Sequence, residues 1–248
     1  MIEQNILEKV IDKLMSGGAD FAEIFIERKK ALGIVCENKK IERITSGEKT
    51  GAGLRVVYGD RTYFAFSEDL GEEALYKLSA SLCSKEQGAH IHSEAAYRLK
   101  TGDLSRLYSS EKLRGSLGEK VELLLHLNNL AWSDPGNLTQ LMLTYGDGEQ
   151  DVAIMNSNGV CIRDSRPRVK SIAQGIFTKD GLVQSSFDSM GALGDFGFIR
   201  SQDMDTFLLK VKDKGERLLQ AKEAPSGTMP VVLSGEAGGT MVHEACGH

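Results

Sequence analysis

Two imidazoles and a carboxylate fall within six residues at His243-Glu244-Ala245-Cys246-Gly247-His248, in a chain with five histidines among 248 residues. Neutral imidazole is the commonest side-chain ligand of a metal ion, and a carboxylate next to such a ligand is placed to move protons. The pattern is close to H-E-x-x-H, whose histidines lie about 40° apart around a helix and close on one ion. Here the spacing is five. On a regular helix that leaves about 140° between the side chains, too wide for both to reach one metal. If both are ligands, the helix has to widen or break locally, and Gly247, next to His248, offers backbone freedom for it.

The chemistry of such a site is metal-assisted hydrolysis. Neutral imidazoles of His243 and His248 hold the ion, and a third protein ligand and a water complete an open tetrahedral site. The ion lowers the pKa of the water and polarises a carbonyl, while Glu244 takes the proton from that water and passes it to the leaving amine. The competing reading is a helix that carries two histidines without a metal, one capping and one exposed. Spacing alone leaves both readings open.

The remaining candidates weigh less. His90 and His92 would share one side of a strand, but they sit in a polar stretch that reads as a solvated loop. His126, within LGEKVELLLHLNNLAW, reads as a satisfied, partly buried histidine. Cys36, Cys83, Cys161 and Cys246 are widely spaced without a C-x-x-C pair, and they read as reduced packing residues. Gly191 to Gly197 does not open an apolar helix after a buried strand, which rejects a dinucleotide loop. Gly235, Gly238 and Gly239 form a turn before the motif without the Gly-Lys-Ser/Thr of a phosphate loop. They let backbone approach a bound peptide, or they make a plain tight turn.

Around these residues the chain has an ordinary globular composition, with 41% hydrophobic and 26% charged residues. Its 30 basic and 35 acidic residues give a net charge of −5 and are spread along the sequence, which argues against nucleic acid as a partner. MIEQNILEKV has neither the basic lead nor the apolar stretch of a secretory signal, and no apolar run reaches the roughly 20 residues that span a bilayer. A cytoplasmic protein without a membrane partner is the expectation.

The elements that would position the motif can be read from periodicity. Ile6, Leu7, Val10, Ile11, Leu14 and Met15 predict a helix stopped by Gly17-Gly18. Short alternating runs from Phe21 to Phe66 predict an antiparallel meander, and Leu75, Leu78 and Leu82 a second helix. Ser84 to about Gly115 reads as a linker or irregular segment. Leu117 to Trp132 predicts a helix, Leu138 to Ser189 further strands with a tight turn at Asn158-Gly159, and Asp203 to Glu223 another helix. Met229 to Leu233 reads as a short strand. The fold class is α+β, helices followed by mainly antiparallel meanders. The expected units are residues 1–86, a linker 87–115, a central domain 116–225, and the start of a third domain at 226–248.

These segments resemble the TldD/PmbA family, in its TldD branch. The likeness runs through GADFAEIFIER, GLRVVYGDRTYFAFSEDL and IMNSNGV, and it is most specific in GTMPVVLSGEAGGTMVHEACGH. It implies a cytoplasmic metallopeptidase that uses a divalent metal, zinc first and iron second, and acts with a PmbA-type (TldE) subunit or by self-association. The substrates it implies are unstructured peptides, including modified-peptide precursors and antitoxins. His243 and His248 would be ligands and Glu244 the catalytic carboxylate, with a further cysteine ligand far downstream, outside this chain. On that reading the chain is an amino-terminal portion that binds metal poorly and cleaves nothing alone. The alternative is a non-catalytic scaffold that binds a peptide or a partner subunit.

Overall fold

The computed structural model describes residues 2–83, 100–103 and 115–248. The opening amphipathic run folds as α1 (Gln4–Met15) and buries Leu7, Val10, Ile11 and Leu14. It stops just before Gly18, which takes φ 83°, a conformation that glycine reaches without a Cβ clash. Then come β1 (Phe21–Glu37), β2 (Lys40–Tyr58), β3 (Arg61–Ser67) and α2 (Glu72–Cys83).

The short runs expected in this half are fused into longer strands. Arg28 to Ala31 and the facing Gly47 to Thr50 remain in the β1–β2 ladder. There the polar alternation that marks a strand disappears, because this stretch lies between two buried patches and neither face is covered. Glu48 holds it with Arg28 at 2.6 Å and Lys30 at 3.7 Å.

The second half runs β4 (Lys100–Asp103), α3 (Leu117–Ser133), β5 (Leu138–Asn156), β6 (Val160–Lys179), β7 (Leu182–Leu193), α4 (Phe196–Arg200) and α5 (Met204–Leu218). β4 lies in the stretch expected to be irregular and pairs parallel with Val160–Arg163. His90 and His92, from the same stretch, lie outside the described residues. Ser116 and Glu119 cap α3 reciprocally, satisfying two end groups of that helix. Asp203 caps α5, its carboxylate accepting from the Thr206 N–H at 3.0 Å. α5 ends at Leu218, short of the expected Glu223.

The seven described strands make one sheet in the order β3-β2-β1-β5-β6-β4, with β7 also on β6. β1 and β5 pair antiparallel from Glu23 opposite Asn156 to Glu37 opposite Met142, which joins the two meanders. The mainly antiparallel α+β architecture expected from the sequence is the one found.

Two cores share one face of this sheet. One gathers Leu7, Leu14, Ile24, Leu54, Leu75 and Met155; the other gathers Ile34, Leu124, Leu127, Tyr145, Phe177 and Leu208. The register sets Ile24 beside Met155 and Ile34 beside Tyr145, so α1 and α2 cover one end of that face, and α3 to α5 the other.

Turn chemistry fixes the hairpins. Asn38-Lys39 and Asp180-Gly181 have positive φ at both positions, the turn whose twist matches antiparallel strands. At the expected Asn158-Gly159 turn only Gly159 is positive, and the loop includes Ser157.

Candidate metal centre

The motif follows α6 (Gly235–Val242). Ser234 caps this helix, its hydroxyl accepting from the Ala237 N–H at 3.2 Å. Two expectations are corrected here. Met229 to Leu233 is not a strand: no strand lies alongside it among the described residues, and Val232 is 99% exposed. The glycine turn is helix, because the Ser234 cap starts the helix before Gly235, Gly238 and Gly239. None of the three has a positive φ, and a Cβ built on Gly235 or Gly239 meets nothing within 4 Å.

At His243 the backbone widens. His243–Gly247 is a π-helical turn, in which each turn holds about one more residue than α-helix. Residues five apart come to the same side, and the imidazoles of His243 and His248 meet edge to face, with centroids 4.5 Å apart and planes at 87°. Their Nε2 atoms are 3.0 Å apart. The rings share a hydrogen bond at this distance, which is near the roughly 3.3 Å between two nitrogens held tetrahedrally by one zinc ion at about 2.0–2.1 Å. Gly247 is not what permits the widening. It has no positive φ, and a Cβ there would lie 3.7 Å from His243 Nδ1, an ordinary contact.

Glu244 and Cys246 lie on the same turn and are exposed. Cys246 is therefore not the packing residue expected. Among the described residues no group of three His, Cys, Asp or Glu side chains is arranged to hold a metal, so no third such side chain joins the two histidines there. No described residue after Leu219 is buried, and Met241 and Val242 at the end of α6 stay more than half exposed.

The other titratable groups have structural settings. Cys36, Cys83 and Cys161 are free thiols pushed up by burial, which leaves them little thiolate. His126 is exposed, not partly buried, and Nε2 lies 2.7 Å from Asp205 Oδ1. A buried group escaped the sequence reading. Lys120 lies 2.5 Å from Asp147 Oδ2, the same oxygen that accepts from the Tyr145 hydroxyl at 2.5 Å. Burial first, and then Asp147, pushes the Tyr145 phenol far up, so it stays a donor. The signal was there: Lys120, Leu124, Leu127 and Ala131 form one helical stripe, with a lysine where an apolar residue is expected.

Comparison with known proteins agrees with this architecture. Residues 22–83 match the family model for PmbA/TldA metallopeptidase domain 1, and residues 116–224 that for the PmbA/TldA metallopeptidase central domain. A metalloprotease of Methanothermobacter thermautotrophicus is 28% identical over 234 residues, covering 92% of this chain and 50% of the relative. A metalloprotease TldD homolog of Haemophilus influenzae is 25% identical over 253 residues, covering 98% of this chain and 52% of the relative. The chain thus spans about half the length of these relatives. Among solved structures, a Thermotoga maritima protein proposed as a modulator of DNA gyrase superposes with a TM-score of 0.70 at 14% identity, covering 90% of this chain and 50% of that one. TldE from Thermococcus kodakarensis gives 0.64 at 14% identity, covering 85% and 47%. At such identities the solved structures establish the fold, and the two family matches, which together take in more than half of the sequence, establish that this chain belongs to the PmbA/TldD metallopeptidase family.

Proposed function

We propose that the chain carries the amino-terminal part of a metal-dependent peptidase and two ligands of its metal, His243 and His248. The observation that supports this reading is the π-helical turn, which sets the two Nε2 atoms 3.0 Å apart from residues five positions apart. A divalent ion held there, zinc first and iron second, supplies the Lewis acidity that makes water nucleophilic near neutral pH. Glu244, next to the first ligand, accepts the proton at a carboxylate oxygen and returns it to the leaving nitrogen. Under this proposal the third ligand lies outside the described residues, as the downstream cysteine implied by the family resemblance would.

The substrate class that fits is an unstructured peptide, since an exposed turn reaches a backbone that is itself free of secondary structure. Under the same proposal the protein works in the cytoplasm with a TldE-type subunit or a second copy of itself, and Gly235, Gly238 and Gly239 give peptide backbone close access to α6. No helix among the described residues is long and apolar enough to cross a membrane.

Glu244→Gln in the full-length protein tests the catalytic role. Turnover of an unstructured peptide is expected to fall by about 10²–10⁴ while metal content stays unchanged. Full turnover by the variant would remove Glu244 from the chemistry and favour a scaffold that binds peptide or partner without cleaving.

A further inference from the structure

The face of the sheet opposite the helices carries a concentration of positive charge that the linear sequence conceals. Strand register places Lys29 of β1, Arg43 and Lys49 of β2, and Arg168 and Lys170 of β6 on that face. All five are exposed, and none makes an ion pair among the described residues. Lys29 and Lys49 are direct cross-strand partners, an arrangement of like charges that costs stability. The carboxylates on this face flank the cations at both ends, Glu23, Glu27 and Asp164 on one side and Glu37 on the other, and have partners of their own; Glu37 accepts from the Gln140 amide at 2.8 Å. Glu23 faces Arg55 at 3.2 Å, Asp164 holds Arg166, and Glu27 accepts from the Gln150 amide. A basic patch, expected to be absent from a chain of net charge −5, is therefore assembled by folding.

The surface between these cations is low. Gly47, Ala31 and Gly148 are paired across β2, β1 and β5, with Gly33 and Gly146 in the adjoining row. A Cβ built on Gly33 or Gly47 meets nothing within 4 Å, while one on Gly146 lies 3.4 Å from the Lys170 stem, so the floor is open on its β1–β2 side and bordered by Lys170 on the other. With strands about 4.8 Å apart, the way from β2 to β6 is roughly 14 Å, the span of four or five residues of extended peptide at about 3.3 Å each.

We propose that this face docks an acidic, extended segment of the peptide substrate, its carboxylates meeting Lys29, Arg43, Lys49, Arg168 and Lys170. That the ligand is a peptide rests on the peptidase reading; that it is acidic rests on the five unpaired cations. The patch would offset its own repulsion only when an anionic chain lies on it, which makes the attraction salt-dependent.

The test is binding to full-length protein stripped of metal, read by fluorescence anisotropy with a short glutamate-rich peptide and its glutamine counterpart. The acidic peptide is expected to bind about tenfold or more tightly than the neutral one, with the advantage shrinking as salt rises. The paired change Lys29→Gln with Lys49→Gln, and separately Arg168→Gln with Lys170→Gln, should each reduce the advantage. Equal binding of the two peptides, an advantage that survives both paired changes, or tighter binding of a single-stranded oligonucleotide would overturn the proposal. Because no metal is present, loss of this result and loss of catalysis are separate outcomes.

Discussion

At His243 and His248 one added residue of spacing decides what the backbone has to do. Four apart, an α-helix would suffice; five apart, the turn takes the π form and the Nε2 atoms still meet at 3.0 Å. That the turn has to widen or break if both are ligands was legible from angular arithmetic; that it does so without special conformation at Gly247 was not. No third His, Cys, Asp or Glu side chain joins the pair among the described residues, and the sequence does not single one out. Elsewhere single carboxylates tie the fold to pH. Glu216 accepts from the Asn137 side-chain amide at 2.6 Å and from its backbone N–H at 2.7 Å. These bonds, the side-chain one first, hold the carboxyl below its usual value of 4.5. A carboxyl depressed in the folded state stabilises fully above its unfolded value, and the contribution is lost as pH falls through the folded one. Melting temperature should therefore drop on acidification below about pH 4.5, and less steeply in Glu216→Gln. Parallel curves for the two proteins would show that this contact does not couple folding to protons.

Among the elements, the helices were the most legible, because α1, α2 and α5 each bury one stripe against the sheet and leave the other face in water. Strand positions were legible but their lengths were not. The charged centre of β1 and β2 lies between two cores, where burial writes no alternation into the sequence, and hydrogen bonding across the ladder carries the strands through. At α6 the pattern misled in the opposite direction. Three glycines suggested a turn, but Ser234 caps the segment and the chain coils from Gly235, although glycine costs about 0.5–1 kcal/mol per position in a helix relative to alanine. The π turn after it does not need glycine geometry, since a Cβ at Gly247 makes only an ordinary contact at 3.7 Å. Gly247→Ala is accordingly expected to keep the histidine pair and its metal affinity within about threefold, read by metal titration of the full-length protein. A loss beyond tenfold would mean that the turn depends on a conformation alanine cannot adopt.

At the scale of the molecule, two meanders share one sheet through β1 and β5, helices cover one side, and the motif follows the body on an exposed helix. The sequence carried the layout of each half, but not the central pairing of β1 with β5, because antiparallel partners far apart in sequence leave no local trace. The basic face was hidden for the same reason: cations separated by up to 141 positions, from Lys29 to Lys170, become neighbours only in register. If His243 and His248 are two ligands of one metal, retention of the ion must depend on both. The most direct measurement is metal content by mass spectrometry of the full-length protein after exhaustive dialysis, beside His243→Ala and His248→Ala. About one divalent ion per chain is expected in the parent and nearly none in either variant, with folding unchanged. An ion retained in full by both variants, or absent from the parent, would contradict that assignment.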